Sequence, residues 1–277
     1  MRKIFVLFFI MIVIIGCDQK DKRGGKGYYK DSTLTTLDGS LIDSTKLYFP
    51  ERYFMNDKWV ELNFKDTNET YLTSNWLQHY SFILKYFKAP ILYNYYLGAE
   101  MYRFLWLRFS QKPVLITLTK VGKQIFINSK MLNEIPDFPT SLNKYHRNTS
   151  RAMLIVTNKI TGQNEEFPIS DSIVSPSNNI KLVIDTTFEI ALDDWKFFLK
   201  LIDLSSFWEQ EPIVGWGGCD GDQWVLEGQN YDKYHFVSRW SPEGHFKHCC
   251  EYLIALSQLD RNKMKITPKN KSISNTY

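Results

Sequence analysis

The sequence predicts an α+β fold, a mostly antiparallel β-sheet packed against about three amphipathic helices. Two patterns carry this. Short β-branched and aromatic runs follow one another with turn residues between them, and three longer stretches repeat apolar residues at intervals of three and four. The composition agrees: 277 residues, 44% hydrophobic and 16% aromatic, are enough to bury a core without disulfide staples. No period of 20 to 50 residues repeats, so solenoids and propellers are not expected.

The elements are justified in chain order. Residues 28–64 are mixed, with a turn signal at Asp38-Gly39 and a strand-like alternation over 59–64. Residues 74–86 set Leu77, Tyr80 and Leu84, with Phe87, at helical spacing, with Thr73 or Ser74 as N-cap and Pro90 beyond the end. The period then changes. Residues 102–109, 113–119 and 124–127 are β-branched and aromatic runs separated by Ser110-Gln111-Lys112 and Val121-Gly122-Lys123, the pattern of a three-stranded meander. Residues 152–157, a turn at Thr161-Gly162 and residues 180–184 extend the sheet, while 133–150 and 170–179 read as loops.

Asp193 or Asp194 opens a second helix with Trp195, Phe198, Leu199 and Ile202 on one face. Pro212 stops any continuation beyond Phe207 and Trp208. Residues 223–228 and 234–240 form a hairpin with a five-residue connection, 229–233. Ser241-Pro242-Glu243 then caps a third helix carrying Phe246, Cys249, Cys250, Leu253 and Leu256. After Ser257 the tail is polar and basic.

The first residues are a targeting segment. Arg2 and Lys3 precede an apolar run over 4–15, then Gly16 and Cys17. The run is short of the roughly 20 residues a membrane-spanning helix needs. Ile14-Ile15-Gly16-Cys17 resembles the bacterial lipobox, which implies cleavage after Gly16 and acylation of Cys17. The expected organisation is a signal peptide over 1–16, a flexible glycine-rich tether over 17–27, one α+β domain over 28–257 and a tail over 258–277. The charged stretch after Cys17 also resembles the signal that sends some lipoproteins of the Bacteroides type to the cell surface, beside the reading of a generic tether. The expected location is a bacterial membrane, lipid-anchored, on its periplasmic or cell-surface side, with the membrane itself as one partner.

The formal net charge is +4, from 34 basic and 30 acidic residues, and losing Arg2 and Lys3 brings it closer to balance. That excludes the electrostatic footprint of a nucleic-acid binder. Three further cysteines allow a bridge from Cys219 to Cys249 or Cys250; buried free thiols are the alternative.

The hairpin carries the candidate site. With a five-residue connection Glu227 faces His235, Leu226 faces Phe236 and Gln223 faces Arg239. Trp224, Leu226, Tyr234, Phe236 and Trp240 then share a core face, and Glu227, His235 and Arg239 share the other. With Asp220 they form a candidate binding network of an acid, an imidazole and a guanidinium. A histidine oriented by a carboxylate can serve as general base, but no serine, threonine or cysteine completes a triad. An ion network that only pins register is the plainer reading.

His245 and His248 sit near Cys249, yet the CxxC signature is missing, so no metal is assigned, and no cofactor. Glycines 215, 217, 218, 221 and 228 fit neither the dinucleotide fingerprint nor the Walker loop. Aromatic runs at 93–96 and 106–109 read as core rather than as a carbohydrate platform. His79 and His146 have no suggestive neighbours.

Taken together, Arg103-Phe104-Leu105-Trp106-Leu107-Arg108, Pro113-Val114, Asp194-Trp195, Phe207-Trp208, Asp220-Gly221, Trp224-Val225-Leu226-Glu227-Gly228, Tyr234-His235-Phe236-Val237 and Arg239-Trp240-Ser241-Pro242 form an ordered series. The series resembles an uncharacterised family of bacterial proteins, often secreted or lipidated. It covers roughly residues 90–257; residues 28–70 and 133–179 depart from it. The resemblance implies an α+β fold and no activity. The expectation is therefore a non-enzymatic envelope lipoprotein that binds another envelope component or neutralises a toxin-like partner. The alternative is an envelope hydrolase using His235 and Glu227.

Overall fold

Side-chain alternation along one central strand organises the molecule. A computed structural model of the chain describes residues 22–43, 46–62, 67–108, 111–136, 179–214 and 221–259. In strand β3 (Glu100–Arg108) Tyr102, Phe104 and Trp106 point to one face and Arg103 and Leu105 to the other, and all five are buried. A strand covered on both faces must lie mid-sheet. It does: β3 is flanked by β4 (Val114–Val121) and β7 (Asp222–Gln229) in a six-stranded antiparallel sheet of order β6-β5-β4-β3-β7-β8. Here β5 is Gln124–Leu132, β6 Leu182–Glu189 and β8 Tyr234–Trp240. The predicted meander is β3-β4-β5, and the hairpin β7-β8 returns to its other side.

Helices cover both faces. Helix α1 (Thr67–Tyr86) lays Leu77, Tyr80, Ile83 and Leu84 on the face that carries Leu105, Leu115, Val225 and Phe236, together with Tyr28, Tyr48 and Phe49 from the N-terminal region. Helices α2 (Leu192–Leu204) and α3 (Gly244–Leu256) bury Trp195, Phe198, Ile202, Phe246, Cys249, Cys250 and Leu253 on the face of Phe104, Trp106, Ile116 and Leu226. The fold is thus α+β with a mainly antiparallel sheet. A separate hairpin, β1 (Arg52–Met55) and β2 (Lys58–Glu61), turns on Asn56 and Asp57, both at positive φ as a tight two-residue turn requires.

Some boundaries move. Helix α1 starts at Thr67 rather than near Ser74, because Thr67-Asn68-Glu69-Thr70 offers no apolar period to read. Helix α2 starts at Leu192 with Asp193 and Asp194 in its first turn, and α3 starts at Gly244 with Glu243 at its cap position. The expected strand over 152–157, the turn at Thr161-Gly162, His146, the signal over 1–16 and Cys17 lie outside the described residues, as does the tail from 260.

The glycine-rich segment read as tether needs correcting over its second half. Residues 22–27 form a strap clamped on the β7–β8 turn. Gly25 N–H donates to the Tyr231 carbonyl at 2.6 Å and Gly27 N–H to the Asp232 carbonyl at 3.0 Å. The buried Tyr28 hydroxyl donates to the carbonyl of Asn230. Glycine is required for contact here, not for slack. A Cβ on Gly25 would stand 2.7 Å from Asp232 Cα, and Gly24 adopts φ +83° with no room beside Tyr96.

Candidate functional site

The site is decided by the length of one loop. Asn230 accepts the backbone N–H groups of Asp232 and Lys233 on its side-chain oxygen, at 2.9 and 3.0 Å, an Asx turn that closes the hairpin in four residues, 230–233. Gln229 therefore pairs with Tyr234, and the register runs Gly228 to His235, Glu227 to Phe236 and Trp224 to Arg239. This is one residue away from the expected register. Because strand side chains alternate, that slip moves a whole strand to the other face. Glu227 shares its face with Tyr234 and Phe236; His235 and Arg239 share theirs with Trp224 and Leu226. The expected network of Glu227, His235 and Arg239 is corrected accordingly, and so is the pairing of Glu227 with His235 in the hydrolase alternative. The sheet itself stands between them. Asp220 lies outside the described residues.

Glu227 has a different partner. Arg103, directly opposite on β3, donates through Nε to Glu227 Oε2 at 2.6 Å and through Nη2 to Oε1 at 2.8 Å; both side chains are 1% exposed. Tyr234 donates its hydroxyl to Oε1 at 2.9 Å, and Arg103 Nη1 reaches the Pro90 carbonyl. Burial first, then the Glu227 charge, pushes the Tyr234 hydroxyl well above its ordinary pKa, so it stays a donor. Both carboxylate oxygens have partners, and the side chain is buried. This is a two-point buried ion pair joining β3 to β7, and its signal was present in the sequence: an arginine in the middle of a strand buried on both faces demands a carboxylate.

His235 is held as neutral imidazole. Its ring is 0% exposed, packs edge-on to Phe207 at 5.3 Å, and its Nε2 lies 2.9 Å from the Gln210 carbonyl, which must receive a proton from it. Burial, with the charges of Lys233 and Arg239 added, holds the imidazole down to about 4, against the opposing pull of the Gln210 bond. The lone pair that a general base needs is then on Nδ1, buried and without a protein partner. It faces no open space where a substrate would sit.

Arg239 gathers the segment after α2. It donates through Nη2 to the Glu211 carbonyl at 2.7 Å and to Gln210 Oε1 at 2.9 Å, and through Nη1 to the Ser238 and Pro212 carbonyls. Burial lowers its pKa to about 10, opposed by Glu211. Ser238 N–H also donates to the Pro212 carbonyl at 2.7 Å, so this segment runs along β8 and covers its edge.

Beside Arg239 the surface opens. A cleft of about 390 Å³ lies between the C-terminal end of α2 and the start of α3, lined by Leu204, Gln210, Arg239, Trp240, Glu243 and His245, among others. Glu243 and His245 are exposed on its rim. Of the residues predicted for a binding network, Arg239 alone of those described borders this cleft. His245 and Glu243 enter it through the path of the chain from β8 into α3, which no residue spacing announced.

The remaining candidates resolve simply. Cys249 and Cys250 are free, buried thiols; Cys219, the other member of the bridge considered from sequence, lies outside the described residues. Burial raises Cys249 to about 11 and holds the Cys250 thiol well above its ordinary range. The His245 and His248 rings pack edge-on at 5.9 Å, and among the described residues no three potential ligands gather into a metal site. Tyr93, Asn94, Tyr95 and Trp106 are buried, as a core reading of the aromatic runs requires. Comparison with family models, curated proteins and solved structures returned no match.

Proposed function

We propose that the protein is a membrane-anchored bacterial envelope lipoprotein that acts as a binding module, with the cleft at Arg239, Trp240, Glu243 and His245 as the contact region for another envelope component or a toxin-like protein. The observation that supports this best is the cleft itself. It is open, it presents an acid and an imidazole on its rim, and the guanidinium at its wall is fixed by four carbonyl or amide oxygens rather than left to find its geometry on binding. The resemblance of Ile14-Ile15-Gly16-Cys17 to a lipobox, and of the motif order to secreted and lipidated bacterial proteins, supports the location.

Two experiments test the two halves. Cys17→Ser should shift the protein from the membrane to the soluble fraction; an unchanged membrane fraction removes the anchor. A photo-crosslinking residue at Glu243 should yield a discrete adduct in the native envelope that the same residue at Lys123, on the exposed β4–β5 turn, does not. Identical adducts from both positions, or none, would refute the cleft as a contact region.

A further inference from the structure

The strap and the cleft lie at opposite ends of the β7–β8 hairpin. The strap is fixed to the turn over 230–233, whereas the cleft borders Arg239 and Trp240 where β8 ends. From Tyr234 to Trp240 a strand rises about 20 Å. The stretch between Cys17 and the strap is short. Arg23 already accepts the Tyr96 N–H at 3.4 Å, so only residues 18–22 separate Cys17 from a docked position. Fully extended, that leash reaches about 20 Å, against about 40 Å for the breadth of a domain this size. Lys22, Lys26 and Lys30 are exposed on or beside the strap, with Asp31 and Asp232 the nearby exposed acids.

From this we infer that the strap face, with its lysines, rests on an anionic phospholipid surface, and that the domain is held with the cleft directed away from the membrane. The inference rests on Cys17 as the point of attachment. A leash as long as the domain is wide would let any face reach the bilayer; this one confines contact to the end at which the strap is clamped. Lysines near an anionic surface are attracted to it within a Debye length, which biases a short leash toward one orientation.

The test separates orientation from cellular acylation. The chain from Cys17 onward, carrying Cys219→Ser, is coupled through the Cys17 thiol to a maleimide headgroup lipid in vesicles one part in three phosphatidylglycerol by design. Cys249 and Cys250 are buried and do not compete for the reagent. A fluorescent amino acid replaces either Asp232, exposed at the strap end, or Glu243, exposed at the cleft, and energy transfer to a headgroup acceptor is read. Transfer from position 232 should exceed that from 243 roughly threefold or more, given their separation along the hairpin, and K22E/K26E should bring the two closer together. Equal transfer from both positions, or a ratio that charge reversal leaves unmoved, overturns the inference. Failure of the anchor itself shows elsewhere, in Cys17→Ser leaving the membrane-bound fraction unchanged.

Discussion

The buried pair of Arg103 and Glu227 makes a demanding prediction, because it distinguishes an internal strut from a site waiting for a ligand. Glu227→Leu removes the carboxylate and strands a guanidinium that is 1% exposed. Arg103→Met strands the carboxylate with the Tyr234 hydroxyl as its remaining side-chain donor. Removing one member of a buried pair costs about 3–5 kcal/mol, so the two single costs together approach about 6–10 kcal/mol. The double variant R103M/E227L strands no charge. It leaves the Pro90 carbonyl and the Tyr234 hydroxyl short of a partner, at about 1–3 kcal/mol each, partly offset by apolar contact with Leu105, Val225 and Phe236 on the same face.

The double should therefore cost about 2–5 kcal/mol, and the coupling between the sites should be about 3–5 kcal/mol. Urea unfolding followed by tryptophan fluorescence and far-UV circular dichroism measures all four corners of the cycle. Since domains of this kind are stable by about 5–15 kcal/mol, a single variant can unfold in buffer, and Glu227→Gln, which keeps the shape and the tyrosine bond, then takes its place in the cycle. Single costs that add to within about 0.5 kcal/mol would refute the reasoning, as would a cost below about 1 kcal/mol for either single, the range of an exposed pair.

His235 carries a pH signature. Its folded pKa of about 4 lies below the ordinary 6.5, so the unfolded chain takes up the proton first and stability falls as pH drops from 6.5 toward 4. At about 1.4 kcal/mol per pH unit, the wild type should lose about 2 kcal/mol between pH 7.5 and 5 that His235→Gln does not; parallel losses would rule this out. Gly25→Val should drive a side chain into Asp232 and release the strap, so that trypsin cuts after Lys22, Arg23 and Lys26 several times faster than in the wild type, with the domain still folded. Cys249 and Cys250 should resist a disulfide-exchange thiol reagent at neutral pH and react with it once the chain is unfolded; prompt reaction in the native state would contradict their burial.

What the sequence disclosed was whatever depends on period. The meander β3-β4-β5, the apolar faces of α2 and α3 and the existence of the β7–β8 hairpin all follow from spacings of two or of three and four. What it withheld depends on single residues in loops. The hairpin was legible, yet its register turned on whether Gln229 belongs to the strand or to the turn, and the deciding contact is the side chain of Asn230 on the backbone of Asp232 and Lys233. The alternation that made the hairpin easy to find also made the error total: a slip of one placed Glu227 on the wrong face along with His235. Arg103 was in view as part of a motif, and its place in mid-strand calls for a carboxylate, but which carboxylate answers is visible only once β3 is known to pair with β7. Glycines 24, 25 and 27 show the same limit. Composition cannot tell a glycine that loosens a chain from one that lets two backbones touch.

The architecture also constrains where any partner can bind. The sheet has α1 and the N-terminal region on one face and α2 and α3 on the other, so neither face of the central strands is free to receive a ligand. The β8 edge is covered by the segment that Arg239 gathers. Contact is then left to the ends of the strands and the loops there. One end of the hairpin is occupied by the strap. The other presents the cleft. Side chains that looked like chemistry in the sequence serve instead to fix this geometry: Glu227, with Arg103, binds the hairpin to the meander, His235 ties it to Gln210, and Arg239 shapes the wall of the cleft. A partner that recognises this protein would read Glu243, His245 and Trp240, on a frame that those buried groups hold still.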